Sequence, residues 1–176
     1  MTGGDAASSA DEFWGWSCKA YAQGGAKRIL LSLQDEREIN VNALLWASWL
    51  AHNAQRLTPA SATAAAHAVA AVSSRLTGPL RTARREAKYL APSLYGDMKE
   101  LELKLERFEQ ATILLAASTV RLNRSNQELG ELMSDNLCLM LQAFAVVLPA
   151  DEVSSLASIL AGTPLTPRVA DIGARA

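Results

Sequence analysis

Ile39-Asn-Val-Asn-Ala-Leu-Leu-Trp-Ala-Ser-Trp-Leu50 is the stretch on which the fold turns. Two asparagines stand before an apolar run, and an asparagine at a helix start accepts from a backbone N–H that the helix leaves without a partner. Asn40 or Asn42 therefore begins a helix. It ends before Thr58-Pro59, where threonine suits the next cap and proline the first helical position. All four tryptophans of the chain, Trp14, Trp16, Trp46 and Trp49, precede Leu50. Large aromatics dominate core and interface energetics, so this region anchors the fold or a binding surface. Helical spacing sets Asn42, Trp46, Trp49 and Asn53 along one side, a candidate ligand pocket with indole walls and orienting amides. Leu44, Leu45 and Leu50 fill much of the remaining surface. That favours a core helix whose polar groups satisfy one another, as buried polar groups must.

Working outward, residues 1–8 read as a disordered leader, and Ser9 with Glu12 fits a capping box that opens a helix over 10–23. Gly24-Gly25 closes it, since glycine takes the left-handed cap conformation cheaply. A second helix covers 26–36, an alanine-rich one 59–75, and a basic one 79–90, with Thr77-Gly78-Pro79 breaking the chain between the last two. Beyond Ala91-Pro92, the residues Leu94, Met98, Leu101, Leu105, Phe108, Thr112, Leu115, Thr119 and Leu122 alternate spacings of four and three, a heptad seam along a long helix. Ser125 and Glu128 suggest another capping box, opening a helix over 126–148. That helix carries two adjacent apolar stripes and one polar seam residue, Asn136, which reads as a register selector or, more simply, as a satisfied core asparagine. Pro149 ends it, Asp151 caps a last helix through 160, and 163–176 form a disordered tail. The expected fold is all-α: a single-domain bundle of six to eight helices over 9–162, with a long C-terminal antiparallel helical hairpin. No segment shows strand alternation.

Composition excludes more than it selects. With 17 Lys and Arg against 18 Asp and Glu, no global field draws the molecule to nucleic acid or membrane. Any such role needs a local patch. The best one is Arg81, Arg84, Arg85 and Lys88, on one face of the basic helix, a candidate phosphate site. Glu86 interrupts it and no aromatics are interleaved for base stacking, so nucleic acid is disfavoured. Glu102, Glu106 and Glu109 line one side of the long helix, with Lys99, Lys104 and Arg107 interleaved, the pattern of a solvated charged face. His52 and His67 lie apart, without the companion residues of a metal site. Cys18 and Cys138 are isolated and read as buried, reduced thiols. No nucleophile, base and orienting group can be assembled, so no catalytic residue, metal site or cofactor is expected, and the protein reads as a non-enzyme. The apolar stretches are too short to cross a bilayer and the N-terminus lacks a signal-peptide pattern, so the expected location is the cytoplasm.

Three segments, Phe13-Trp14-Gly-Trp16 with Tyr21, Leu31-Ser-Leu-Gln-Asp35, and Asn40-Val-Asn42-Ala-Leu-Leu-Trp46-Ala-Ser-Trp49-Leu, resemble the successive motifs of a family of small proteobacterial proteins of unknown function. The basic stretch from Pro79 to Arg85 and the Glu-rich one from Leu101 to Gln110 look similar to it as well, so the resemblance covers residues 13–115. It implies neither activity nor cofactor. What remains is a bundle acting through protein contacts, as a homodimer or an adaptor. A small-molecule site beside Trp46 and Trp49 is the alternative, followed by weak nucleic-acid or phosphate binding through the basic helix over 79–90.

Overall fold

The computed structural model describes residues 3–165, with side chains from Ser9 onward. Its helices are α1 (Gly3–Ala22), α2 (Ala26–Arg37), α3 (Val41–His52), α4 (Pro59–Val72), a π-helical segment (Ser73–Thr77), α5 (Gly78–Leu90), α6 (Pro92–Ser118), α7 (Leu129–Ala143) and α8 (Ala150–Ala161). Asn40 is the cap of the tryptophan helix: its Oδ1 accepts from the Ala43 N–H at 3.0 Å. A helix that is apolar all round belongs at the centre of a domain. So α3 does, burying Leu44, Leu45, Trp46 and Leu50 against α1, α2, α4, α6, α7 and α8. Thr58 and Ser61 cap α4 reciprocally, Ser61 N–H to Thr58 Oγ1 at 3.1 Å and Thr58 N–H to Ser61 Oγ at 2.9 Å.

Several expectations give way. The leader is partly helical: α1 begins at Gly3 and runs through Ser9, so Ser9 does not open it. Ala6 and Ala7 are strong helix formers that extend the helix outward. Thr77-Gly78-Pro79 does not break the chain either. Pro79 has no N–H for the usual helical bond, and the turn before it widens, with the Gly78 N–H donating to the Ser73 carbonyl. A side chain at Gly78 would bring its Cβ to 3.0 Å from that oxygen, so this turn needs glycine. At the start of α7, Glu128 caps through its own carboxylate on the Gly130 N–H at 2.9 Å, while Ser125 accepts from the Gln127 N–H at 3.2 Å. The final helix starts from Pro149, with Asp151 in its first turn rather than at the cap.

The C-terminal antiparallel hairpin is not formed. α6 lies on α4 and α5, and α7 lies on α3, α4 and α8. The antiparallel pair is α5 with α6, folded back at Ala91, whose extended backbone (φ −146°) separates the two helices. The heptad seam is the reason: Leu94, Leu101, Phe108 and Leu115 point to solvent, and α6 packs through Glu102, Glu109, Gln110, Ile113 and Ala117. α7 finds its place through Asn136, which is fully buried. Its Oδ1 accepts from the Leu57 N–H at 2.8 Å, and its Nδ2 donates to the Ala47 and Gln55 carbonyls at 3.1 and 3.0 Å. It is therefore the satisfied core asparagine. Beside it two-residue strands pair antiparallel, Gln55 with Arg124 and Arg56 with Asn123, the one strand pair among the described residues. Cys18 and Cys138 are free and exposed, not buried. Of the expected tail, Thr163 is buried and its carbonyl accepts from Trp16 Nε1 at 3.4 Å; residues 166–176 lie outside the described residues.

Candidate functional site

α6 carries a row of carboxylates on its inner face. Spacings of four and three put Glu102, Glu106 and Glu109 on one side of the helix, and that side faces inward. Glu102 is 6% exposed and Glu109 1%. The solvated face expected here is thus turned into the protein, because each carboxylate meets donors from elements distant in sequence. Glu109 Oε2 accepts from Asn40 Nδ2 at 2.9 Å and Asn42 Nδ2 at 2.8 Å, and its Oε1 accepts from Thr77 Oγ1 at 2.7 Å. The first two donors come from the start of α3, the third from the π-helical turn. Glu102 is clamped by two guanidinium groups of α5, Arg81 Nε at 2.7 Å on Oε1 and Arg84 Nε on Oε2. Arg81 also reaches Glu106 Oε1 through Nη2 at 3.2 Å. Gln110 Nε2 donates to Asn42 Oδ1 at 2.9 Å and extends the network by one residue. Burying a carboxylate is costly unless donors replace its water; Glu102 has two guanidinium partners and Glu109 three neutral donors.

A cleft of about 1070 Å³ opens over this row, bounded by Trp14 and Tyr21 of α1, the α2–α3 turn, the π-helical segment and α5. Burial pushes the Glu106 carboxyl above the usual carboxylate range; Arg81 opposes this, and Glu102 and Glu109 add to it. Burial also raises the Tyr21 phenol, with Glu106 as the next cause. A titratable group shifted by burial and specific neighbours inside a cleft marks a candidate site.

The residues expected to form sites fare differently. Trp46 is fully buried; Trp49 packs on Phe13 with ring centroids 5.3 Å apart; Asn53 Nδ2 donates back to the Trp49 carbonyl at 2.8 Å. Trp49 and Asn53 are half-buried, and of the four residues Asn42 lines the cleft. His52 closes the other side, with its ring 5.3 Å from Trp16 and Nε2 3.2 Å from the Leu160 carbonyl. The basic patch is dispersed. Arg81 and Arg84 turn to the carboxylates, Arg85 forks onto Asp35 at 2.8 and 3.0 Å, and Lys88 lies over the Tyr89 ring at 5.8 Å. Tyr21, Asn40, Thr77 and Gln110 are site residues that the sequence reading did not bring together with the row of Glu102, Glu106 and Glu109. One signal was present: Arg81 and Glu102 stand at nearly equal distances from Ala91-Pro92, as partners across a hairpin do. Among the described residues no group of His, Cys, Asp and Glu side chains is arranged to hold a metal ion, and no helix is long and apolar enough to cross a membrane.

The outer face of the same helix is apolar. Leu94 and Leu101 are each 50% exposed, Phe108 56% and Leu115 72%, one heptad apart. Against this geometry, a family model described as a protein of unknown function (DUF2390) matches residues 12–113, more than half of the chain. The chain belongs to this family. The DUF2390 match runs from α1 to Ile113 of α6, so it includes the carboxylate row and every donor that holds it. It also agrees in extent with the resemblance read from the tryptophan and Gln-Asp motifs. α7 and α8 lie beyond the DUF2390 match. Neither a curated protein nor a solved structure matches the chain.

Proposed function

We propose that this DUF2390 protein is a non-enzymatic interaction module that self-associates through the outer face of α6. The observation that carries the reading is the exposed ridge Leu94, Leu101, Phe108 and Leu115 on a helix whose other face is tied down by ion pairs. A heptad-spaced apolar ridge is the surface that a second helix covers in a coiled coil, and exposed apolar patches of this kind mark contact sites.

Charge favours a second copy, running antiparallel. With two copies crossing at the level of Glu102, Asp97 of one stands level with Arg107 of the other, and Glu100 with Lys104. Phe108 then faces Gly96, where no atom crowds the backbone. A parallel arrangement would set like charges level and repel. Lys104 and Arg107 now pair within the chain, with Glu100 and Asp11, but both pairs are well exposed. Such pairs are worth at most about 1 kcal/mol, so exchanging them costs little. At this crossing Leu115 lies beyond the start of the partner's α6 at Pro92, so Leu94, Leu101 and Phe108 are the ridge residues covered on each copy. Their burial contributes roughly 6 kcal/mol in all, against an association cost of about 4–15 kcal/mol. The dimer is therefore weak and concentration-dependent.

Sedimentation equilibrium tests it. The chain should dimerise at high micromolar concentration, and L101E/F108E should stay monomeric with an unchanged far-UV circular dichroism spectrum. D97R and R107D should each weaken the dimer, and the two together in one chain should restore it. A monomer at every concentration, or a double variant no better than the singles, overturns the reading.

A further inference from the structure

The inner face of α6 has a surplus of acceptors. At the floor of the cleft three carboxylates, Glu102, Glu106 and Glu109, meet two guanidinium groups, Arg81 and Arg84, which leaves one formal negative charge. Both arginines engage Glu102, and the donors on Glu109 are neutral amides and a hydroxyl. Glu106 is reached by Arg81 through one oxygen, at 3.2 Å. On two other residues that line this cleft, buried polar groups find no partner. Gln110, 2% exposed, spends its Nε2 on Asn42 and leaves Oε1 unmatched; Ser17 of α1, 3% exposed, leaves its hydroxyl unmatched. Both residues line the cleft, as does Glu106. Buried polar groups in native proteins nearly always have partners, so two orphans in one cleft with an under-paired carboxylate point to a group that brings hydrogen-bond donors.

We propose that the cleft binds a small molecule through a primary ammonium or guanidinium group held by Glu106, Gln110 Oε1 and Ser17 Oγ. An ammonium carries three donors and no acceptor, which matches three acceptors and the residual negative charge. An anion is disfavoured because the guanidinium groups of the floor are already committed to carboxylates. The rings of Tyr21 and Trp14 supply apolar wall, and the volume leaves room for the rest of a small molecule. A cation there also answers the burial that holds the Glu106 carboxyl high. Binding should weaken as the pH falls through the range in which that carboxyl takes up a proton, and within that range it should release one. The groups facing Glu106 are Tyr21 and Cys18 of α1, Arg81 of α5, and Glu102 and Glu109 of its own helix.

Isothermal titration of the full chain with agmatine, arginine and lysine, and with inorganic phosphate and citrate as anionic probes, tests the site. At least one amine should saturate it, and titration in buffers of different ionisation enthalpy should register proton release. Glu106→Gln keeps shape and loses charge, and Ser17→Ala removes one acceptor. The first should weaken binding at least about tenfold, as loss of a charge-assisted hydrogen bond does, and the second less. The monomeric L101E/F108E chain should bind as well as the wild type, so the cleft and the ridge stand or fall separately. No amine binding at millimolar concentration, equal affinity in Glu106→Gln, or a preference for phosphate overturns the proposal.

Discussion

A carboxylate as deep as Glu109 is tolerated because three short donors from two other elements converge on it. The same logic makes Asn136 the most demanding side chain of the core. Asn136→Leu keeps the branching, but it strands the Leu57 N–H and takes away the donor on the Gln55 carbonyl, as well as the second donor on the helical Ala47 carbonyl. It should cost about 3 kcal/mol in urea unfolding, since each buried group left without a partner costs about 1–3 kcal/mol and relaxation recovers part of the total. Glu106 behaves oppositely. Its folded pKa lies above the ordinary 4.5, so the native state holds the proton more tightly than the unfolded chain. Stability therefore falls as the pH rises through the window above 4.5. Glu106→Gln should raise the melting temperature at about pH 7.5 and leave it nearly unchanged at about pH 4, where the wild-type carboxyl is already protonated.

α6 shows what periodicity can and cannot deliver. Its heptad was legible from Leu94 to Leu115, and so was its start at Ala91-Pro92. Which face it buries was not, because period says nothing about partners. Glu102 and Glu109 go inside for the sake of Arg81, Arg84, Asn40, Asn42 and Thr77, all fixed by how the chain folds back and not by neighbours in sequence. A helix rule weighs Glu against Leu one residue at a time; the protein weighs a paired, hydrogen-bonded carboxylate against a leucine. For the same reason the tryptophan helix was read correctly as core, since its leucines and alanines need no particular partner, while the basic patch was read without the carboxylates that neutralise it. Urea unfolding checks the orientation of α6 directly. Ile113→Ala, on the buried face, should cost about 2–4 kcal/mol. Leu101→Glu, on the ridge, should stay within about 1 kcal/mol of wild type in the monomer.

Across the whole molecule, α1 and α8 both pack on α3, and α1 is tied to the segment that follows α8. Trp16 donates to the Thr163 carbonyl, and His52 at the end of α3 meets the Leu160 carbonyl of α8. Burial lowers the His52 pKa below its ordinary 6.5, with the Leu160 contact opposing. The unfolded chain therefore binds the proton more readily. The stability due to a neutral, buried His52 is complete above pH 6.5 and is lost as the pH falls through the lowered value. His52→Gln, which keeps a donor for Leu160, should unfold at a temperature closer to wild type at about pH 5.5 than at about pH 8. Melting curves of this variant and Glu106→Gln across the same pH range separate two trends of opposite sign.

The wide turn at Ser73–Thr77 has a consequence for how this chain tolerates changes of length. An ordinary helix advances about 100° per residue, so losing one residue swings everything beyond it around the axis. A π turn absorbs a surplus residue locally, and removing that residue lets the turn close to normal pitch with both flanks in phase. Deleting Ser74 should thus leave Arg81 and Arg84 aimed at Glu102 and cost chiefly the Thr77 hydroxyl on Glu109, whereas deleting Thr82, inside α5, should swing Arg84 away from its carboxylate. The single-residue slack between α4 and α5 is stored at one address, and it lies beside Glu109, the most buried carboxyl group among the described residues.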